Sequence, residues 1–161
     1  MADALAIVEI PAGARLPFVD LLRLADDSEA ALRGYLDRGR LFVLRDGAAA
    51  LGEALVELPA DVDAAAELLS IAVAERARGR GLGGRLLDHV AQVTRAAGVR
   101  RLEVATATSS LAALAFYLRR GFRPLRIDRD YFSPARGYPA GSEENGIPLR
   151  DRIWLDLDLR P

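Results

Sequence analysis

Apolar positions along this chain follow two rhythms. Leu82, Leu86, Val90, Val93 and Ala97 recur at three- and four-residue steps, a repeat that lays one apolar stripe along a long helix. Gly98 follows, where a left-handed C-terminal cap belongs. Helical spacing also runs over residues 16–24 and 30–36, through Leu21, Leu22 and Ala25 and then Ala31, Leu32, Tyr35 and Leu36. Asp26, Asp27 and Ser28 between them supply N-cap chemistry for the second helix, and Gly39 ends it. Residues 111–120 predict a further helix that stops at Gly121. Strands are predicted over residues 5–10, 41–44, 48–58, 64–74, 102–107, 122–130 and 153–159. The second and third flank Asp46-Gly47, a dipeptide that favours a tight hairpin turn. Residues 64–74 are mostly apolar and bounded by polar positions, which favours a buried strand over a short helix. Residues 133–148 hold three prolines and three glycines and predict a loop, functional or mobile at that length.

The resulting order, β-α-α-β-β-β-α-β-α-β-β, is an α/β plan with one clear βαβ unit over residues 67–107. No repeat or linker divides it, so one domain over residues 1–161 is expected. A chain of 161 residues buries about 68–70% of its unfolded surface and folds without a metal or disulfide. Cysteine is absent, which excludes thiol nucleophiles and cysteine-ligated metals. All 22 basic residues are arginine, which excludes Schiff-base chemistry and a phosphate-binding Walker lysine. A net charge of −1 argues against nucleic acid as a partner. No apolar run approaches the ~20 residues of a membrane span, and the N-terminus lacks the basic segment of a signal peptide. A soluble, cytoplasmic protein is the expectation.

The chemistry concentrates where the long helix begins, in Val73-Ala74-Glu75-Arg76-Ala77-Arg78-Gly79-Arg80-Gly81-Leu82-Gly83-Gly84. Four glycines between a strand and a helix let a ligand approach the backbone closely. The first helical N–H groups lack partners and carry the positive end of the dipole, so an anion, usually a phosphate, is favoured there. Arg78 and Arg80 add charge. Three readings compete: glycines used only for turn geometry, a dinucleotide fold, and a pyrophosphate cradle. Gly79, Gly81 and Gly84 satisfy G-x-G-x-x-G, but the dinucleotide context fails. Glu75 to Arg78 separate the first glycine from its strand, and Ala105 to Thr108 offer no acid for a ribose.

As a cradle, Arg78-x-x-Gly81-x-Gly83 resembles the acetyl-CoA signature of the GCN5-related N-acetyltransferases. Ala113-Leu114-Ala115-Phe116-Tyr117-Leu118-Arg119-Arg120-Gly121-Phe122 resembles their second signature, A-x-x-F-Y-x-x-x-G-F. The two stand in family order and spacing, and the element order matches over essentially the whole chain. Segments 127–132 and 144–147, with Arg150-Asp151, look like those of a group of mostly uncharacterised bacterial members. The resemblance implies a mixed, mostly antiparallel sheet of about seven strands with a splayed parallel pair, and about four helices. It implies acetyl-CoA as co-substrate and no metal.

By that match, backbone groups of Ile71, Ala72 and Val73 line the pantetheine arm. Arg78, Gly79, Arg80, Gly81, Leu82, Gly83 and Gly84 hold the pyrophosphate, and a main-chain amide, Val73 foremost, faces the developing oxyanion. Tyr117 resembles the family tyrosine that protonates or hydrogen-bonds the leaving sulfur; the other reading is a core aromatic beside Phe116. Glu67 is the first choice as base for the amine, against a solvated strand-end carboxylate, with Glu103 or ordered water as further options. Ser110 stands where many members carry asparagine near the pantetheine. His89, off the helix stripe, reads as a surface residue.

The implied acceptor is a small-molecule or peptide amine, entering by residues 22–27 and 128–145. Asp128, Asp130, Glu143 and Glu144 either attract it, with Tyr131 and Tyr138 packing its apolar part, or form a solvated surface paired with Arg129 and Arg136. A homodimer fits the family. A regulator that binds acyl-CoA without chemistry, or a dinucleotide-binding module, are the alternative functions.

Overall fold

The computed structural model describes residues 5–26 and 28–161; the capping role expected of Asp27 falls outside them. In chain order the elements are β1 (Ala6–Ile10), α1 (Val19–Arg23), α2 (Glu29–Tyr35), β2 (Arg40–Asp46), β3 (Ala49–Glu57), β4 (Ala66–Val73), α3 (Leu82–Ala96) and β5 (Arg101–Ala107). They continue with α4 (Leu111–Arg119), β6 (Arg123–Asp128), β7 (Glu143–Glu144), β8 (Ile147–Pro148) and β9 (Arg152–Asp158). Seven strands form one sheet in the order β1-β2-β3-β4-β5-β9-β6. Every neighbouring pair is antiparallel except β4 with β5.

The expected architecture therefore stands, with local departures. Residues 133–148 are not simply a loop: they contain a 3-10 turn at Pro134–Arg136 and the miniature antiparallel pair β7–β8. Asn145 and Gly146 turn that pair with positive φ. The helix expected over residues 16–24 is a 3-10 turn, Leu16–Phe18, followed by the five-residue α1. In α3 the inward stripe ends on Thr94, whose hydroxyl donates to the Val90 carbonyl at 2.8 Å, and Ala97 is exposed. His89 is half-buried, not a surface residue; its ring meets Phe42 edge-on at 4.7 Å.

Each face of the sheet has its own core. Phe42, Ala54, Val56, Leu68 and Val104 pack under Leu82, Leu86, Leu87 and Val90 of α3. On the opposite face Ile10, Leu41, Val43 and Leu55 pack with Leu22 of α1 and Leu32 and Tyr35 of α2. Ser28 caps α2, its hydroxyl accepting from the Ala31 amide at 3.2 Å.

The far end of α2 is closed by a buried cation. Arg15 donates to the carbonyls of Leu36 (2.8 Å), Arg38 (2.6 Å) and Gly39 (2.6 Å), groups a helix end leaves without partners. Arg15→Met should lower unfolding stability by about 2 kcal/mol, because three carbonyls lose a charged donor inside the protein; urea unfolding measures it. An unchanged midpoint would mean that water replaces the guanidinium.

What matters most for a site is where the sheet fails to close. β4 and β5 pair at only three positions, Ala66 with Leu102, Glu67 with Glu103 and Leu68 with Val104. Beyond them the strands part, while β4 remains on β3 as far as Val73 and β5 remains on β9 as far as Ala107.

Candidate active site

A cavity lies at each end of this split. The first, of about 380 Å³, lies at the glycine turn and is lined by Val73, Arg78, Gly81, Gly83, Phe116 and Arg120 among others. After β4 the chain makes a 3-10 turn with Ala77 buried. Gly79 and Gly81 then adopt φ of 75° and 74°, conformations that a side chain strains. No side chain caps α3, and its first main-chain bond runs from the Arg85 amide to the Gly81 carbonyl. The amides of Leu82, Gly83 and Gly84 are thus left to a ligand. With the helix dipole, and with Arg78, Arg119 and Arg120 lining the same cavity, Arg120 paired with Asp88 at 3.2 Å, these residues suit a diphosphate.

The expected cradle residues do not all sit alike. Arg78 is tied back to the strand, its Nε donating to the Val73 carbonyl at 3.2 Å. Arg80 is exposed and absent from the cavity wall. Gly84 answers a packing demand: a Cβ there would lie 1.5 Å from Nη2 of Arg120.

The second cavity, of about 370 Å³, opens between α2, β4, β5, β9 and the 131–149 segment. Glu67, Tyr35, Arg38, Tyr131, Tyr138 and Arg152 are on its wall, and it reaches Leu69 and Ala105 inside the split. Glu67 is half-buried, and desolvation pushes its carboxyl above the usual carboxylate range, with Arg38 and Arg152 opposing the rise. Glu103, its neighbour in register, is engaged by Arg101 at 3.3 Å and Arg126 at 3.2 Å.

Helix α4 links the cavities. Ser110 at its start is on the wall of the second, and Phe116, Arg119 and Arg120 near its end are on the first. Tyr117 is buried between Phe116 and Phe122, with ring centroids at 5.3 and 5.4 Å. Burial pushes its hydroxyl further above the usual tyrosine value, and the nearby Glu53 adds to the rise. Tyr117 is part of the core and lies on the wall of neither cavity. Ser110, expected near the pantetheine, shares the second cavity's wall with residues 105–107; its hydroxyl donates to Glu144 at 2.6 Å, and Asn145 donates to the Ser109 carbonyl at 3.0 Å. The β7–β8 turn is thereby fastened to the start of α4.

Of the candidate carboxylates on the acceptor side, Asp128 and Asp130 are engaged, by arginines other than the expected Arg129 and Arg136. Asp128 accepts from Trp154 at 2.8 Å and from Arg152, and Asp130 accepts from Arg150 at 2.5 Å. Asp26 accepts from the Tyr138 hydroxyl at 3.0 Å. Glu143 is not on the wall, whereas Tyr131, Tyr138 and Glu144 are. Sequence reasoning missed Tyr35, Arg38 and Arg152, which carry no local motif. It also missed Glu53, whose signal is a lone carboxylate inside the apolar run of β3. Glu53 is fully buried, accepts from Ser70 at 2.6 Å, and keeps its second oxygen without a partner.

Comparison with known proteins agrees with this geometry. Residues 15–122 match the model of the acetyltransferase (GNAT) family. An uncharacterised N-acetyltransferase of Bacillus subtilis, YvbK, is 35% identical over 142 residues, 87% of this chain and 88% of that protein. The structure of an IAA acetyltransferase from Bacillus cereus superposes with a TM-score of 0.84 at 37% identity, covering 96% of this chain and 99% of that one. A GNAT family acetyltransferase from Elizabethkingia anophelis with acetyl-CoA bound gives 0.85 at 33% identity, covering 97% and 99%. A parallel pair that splits beside an uncapped, glycine-rich helix start, in a chain that matches along most of its length, leaves one assignment: the protein belongs to the GNAT family of acetyltransferases.

Proposed function

We propose that this acetyltransferase moves the acetyl group of acetyl-CoA to a primary amine by direct attack, with both substrates bound at once. The observation that carries the reading is a pair of cavities beside the β4/β5 split, one suited to a diphosphate and the other holding a half-buried carboxylate. Acetyl-CoA supplies the activated thioester. The amides at 79–84 hold its diphosphate, with Arg78 at the rim. Backbone groups of Ile71, Ala72 and Val73, which have no β5 partner, line the pantetheine path and offer donors to the carbonyl oxygen. Glu67 takes the proton that an ammonium acceptor (reference pKa ~10.4) must lose before it can attack. Tyr117, held protonated by its surroundings, donates to the leaving sulfur. Neither lysine nor cysteine is present to carry an acetyl group, which disfavours two common covalent relays.

Two measurements test this together. Coenzyme A at a hundred times its dissociation constant should stabilise the protein by ~2.7 kcal/mol, read as a thermal shift, while NADH should not. Thiol release over an amine panel should then find an acceptor; binding without release from any amine would identify a non-catalytic acyl-CoA-binding domain. Tyr117→Phe should lower turnover about tenfold, the worth of one hydrogen bond to a developing charge, with coenzyme A affinity unchanged. Equal turnover would return Tyr117 to the core.

A further inference from the structure

The second cavity carries a feature that an acceptor with only an amine would not need. Arg152 is fixed from three sides. Its Nε and Nη2 both donate to one oxygen of Asp128, at 2.9 and 2.5 Å, and that oxygen also accepts from Trp154. Its guanidinium lies 3.6 Å from the Tyr131 ring centroid and 4.7 Å from that of Trp154. Its side chain is 23% exposed, and among the described residues nothing accepts from Nη1. Arg38, on the same wall, repeats the arrangement: Nε and Nη2 go to Glu57 and Nη1 is left over.

An arginine whose one edge is anchored presents the other as a rigid two-hydrogen donor. Its planar fork matches a carboxylate. Asp26 and Glu144 are also on the wall, each accepting from a neutral hydroxyl, Tyr138 and Ser110 respectively. The cavity thus holds carboxylates, Glu67 among them, and two anchored cationic edges, of which Arg152 at 23% exposure is more enclosed than Arg38 at 46%, with Tyr35, Phe132 and Tyr138 as aromatic wall.

We propose that Arg152 holds a carboxylate of the acceptor, so that the acceptor is an amino acid whose amine is presented to Glu67 and whose apolar side chain packs on the tyrosines. The proposal rests on the acetyl-transfer reading for its chemistry, but binding alone can test it. Trp154 is the one tryptophan of the chain and touches Arg152, so its fluorescence reports occupancy without turnover.

The test uses matched pairs, phenylalanine with phenethylamine and phenylalaninamide, and leucine with isopentylamine, on protein saturated with coenzyme A for titration or with acetyl-CoA for rates. The free acids should titrate Trp154 fluorescence and exceed their partners in kcat/KM by about tenfold or more, the worth of a charged hydrogen-bonded pair. In Arg152→Gln that preference should fall to near one, through KM for the acids, with the coenzyme A thermal shift retained as the sign of a folded protein. Arg152→Lys, which keeps charge without the fork, should recover part of it. Equal or better use of the carboxylate-free amines by the native protein overturns the proposal. So does an Arg152→Gln loss that is the same for acid and amine, or a native Trp154 signal that no acid changes. If acids titrate Trp154 but release no thiol, the transfer reading fails and the binding assignment stands.

Discussion

Glu53→Gln should make the protein more stable at neutral pH, by about 3 kcal/mol, and should flatten its stability profile between pH 4.5 and about 8. Glu53 is completely enclosed between β3 and β4, and burial raises its carboxyl to about 8, with the Ser70 hydrogen bond opposing the rise. In the unfolded chain the group titrates at the ordinary value of 4.5. Between those two pH values the unfolded chain has lost the proton and the folded chain keeps it. Stability is therefore full below the unfolded value and falls by about 1.4 kcal/mol for each pH unit as pH rises to the folded one. Glutamine keeps an oxygen for Ser70 and removes the titration. At ~2–4 °C per kcal/mol for a chain of this size, the melting temperature at pH 7 should rise roughly 10 °C. At pH 5 the two proteins should melt almost together. A native melting temperature that is level from pH 5 to pH 8 would mean that the carboxyl is ionised and paired.

Glu67→Gln should reduce kcat/KM by about a hundredfold or more, the lower end of what a positioned general base contributes. The sign of the pH effect follows from its environment. Desolvation raises the carboxyl, so the base is lost as pH falls through a value above the usual carboxylate range. The native enzyme should show that acid limb in kcat/KM, and the glutamine variant should lack it. Coenzyme A binding should be unchanged, because Glu67 is on the wall of the other cavity. A variant that retains both rate and acid limb would transfer the role to ordered water or another group.

Much of this fold is legible because its signals are local. The α3 stripe from Leu82 to Val90, the Asp46-Gly47 turn and the Ser28 cap each depend on residues within a few positions, and all three appear in the structure. Errors arise where local and tertiary demands part. A stripe read at fixed steps reaches Ala97, but the sheet stops facing α3 a turn earlier, and Thr94 turns inward by satisfying its hydroxyl within the helix. The β7–β8 pair has two residues per strand and a proline, so no alternation exists to be read. Its order comes from the contacts of Glu144 and Asn145 with residues 109–110.

The site divides the same way. The cradle is one contiguous segment whose glycines announce it. The acceptor cavity is assembled from α2, β4, β9 and the 131–149 segment, where an arginine such as Arg152 looks like any other strand-surface charge. What distinguishes it, a carboxylate behind and a ring beneath, comes from Asp128 and Tyr131. Neither relation has a spacing rule.

The three-rung contact between β4 and β5 makes the molecule two leaves joined at a short spine, β1 to β4 on one side and β5, β9 and β6 on the other. On the proposed reading, a pantetheine chain seated in the gap would stand in for the rungs the strands lack. The grip on coenzyme and the stiffness between the leaves are then one quantity. Saturation should slow amide deuterium uptake along residues 69–73 and 105–107 together, and product departure becomes a loosening of the whole spine.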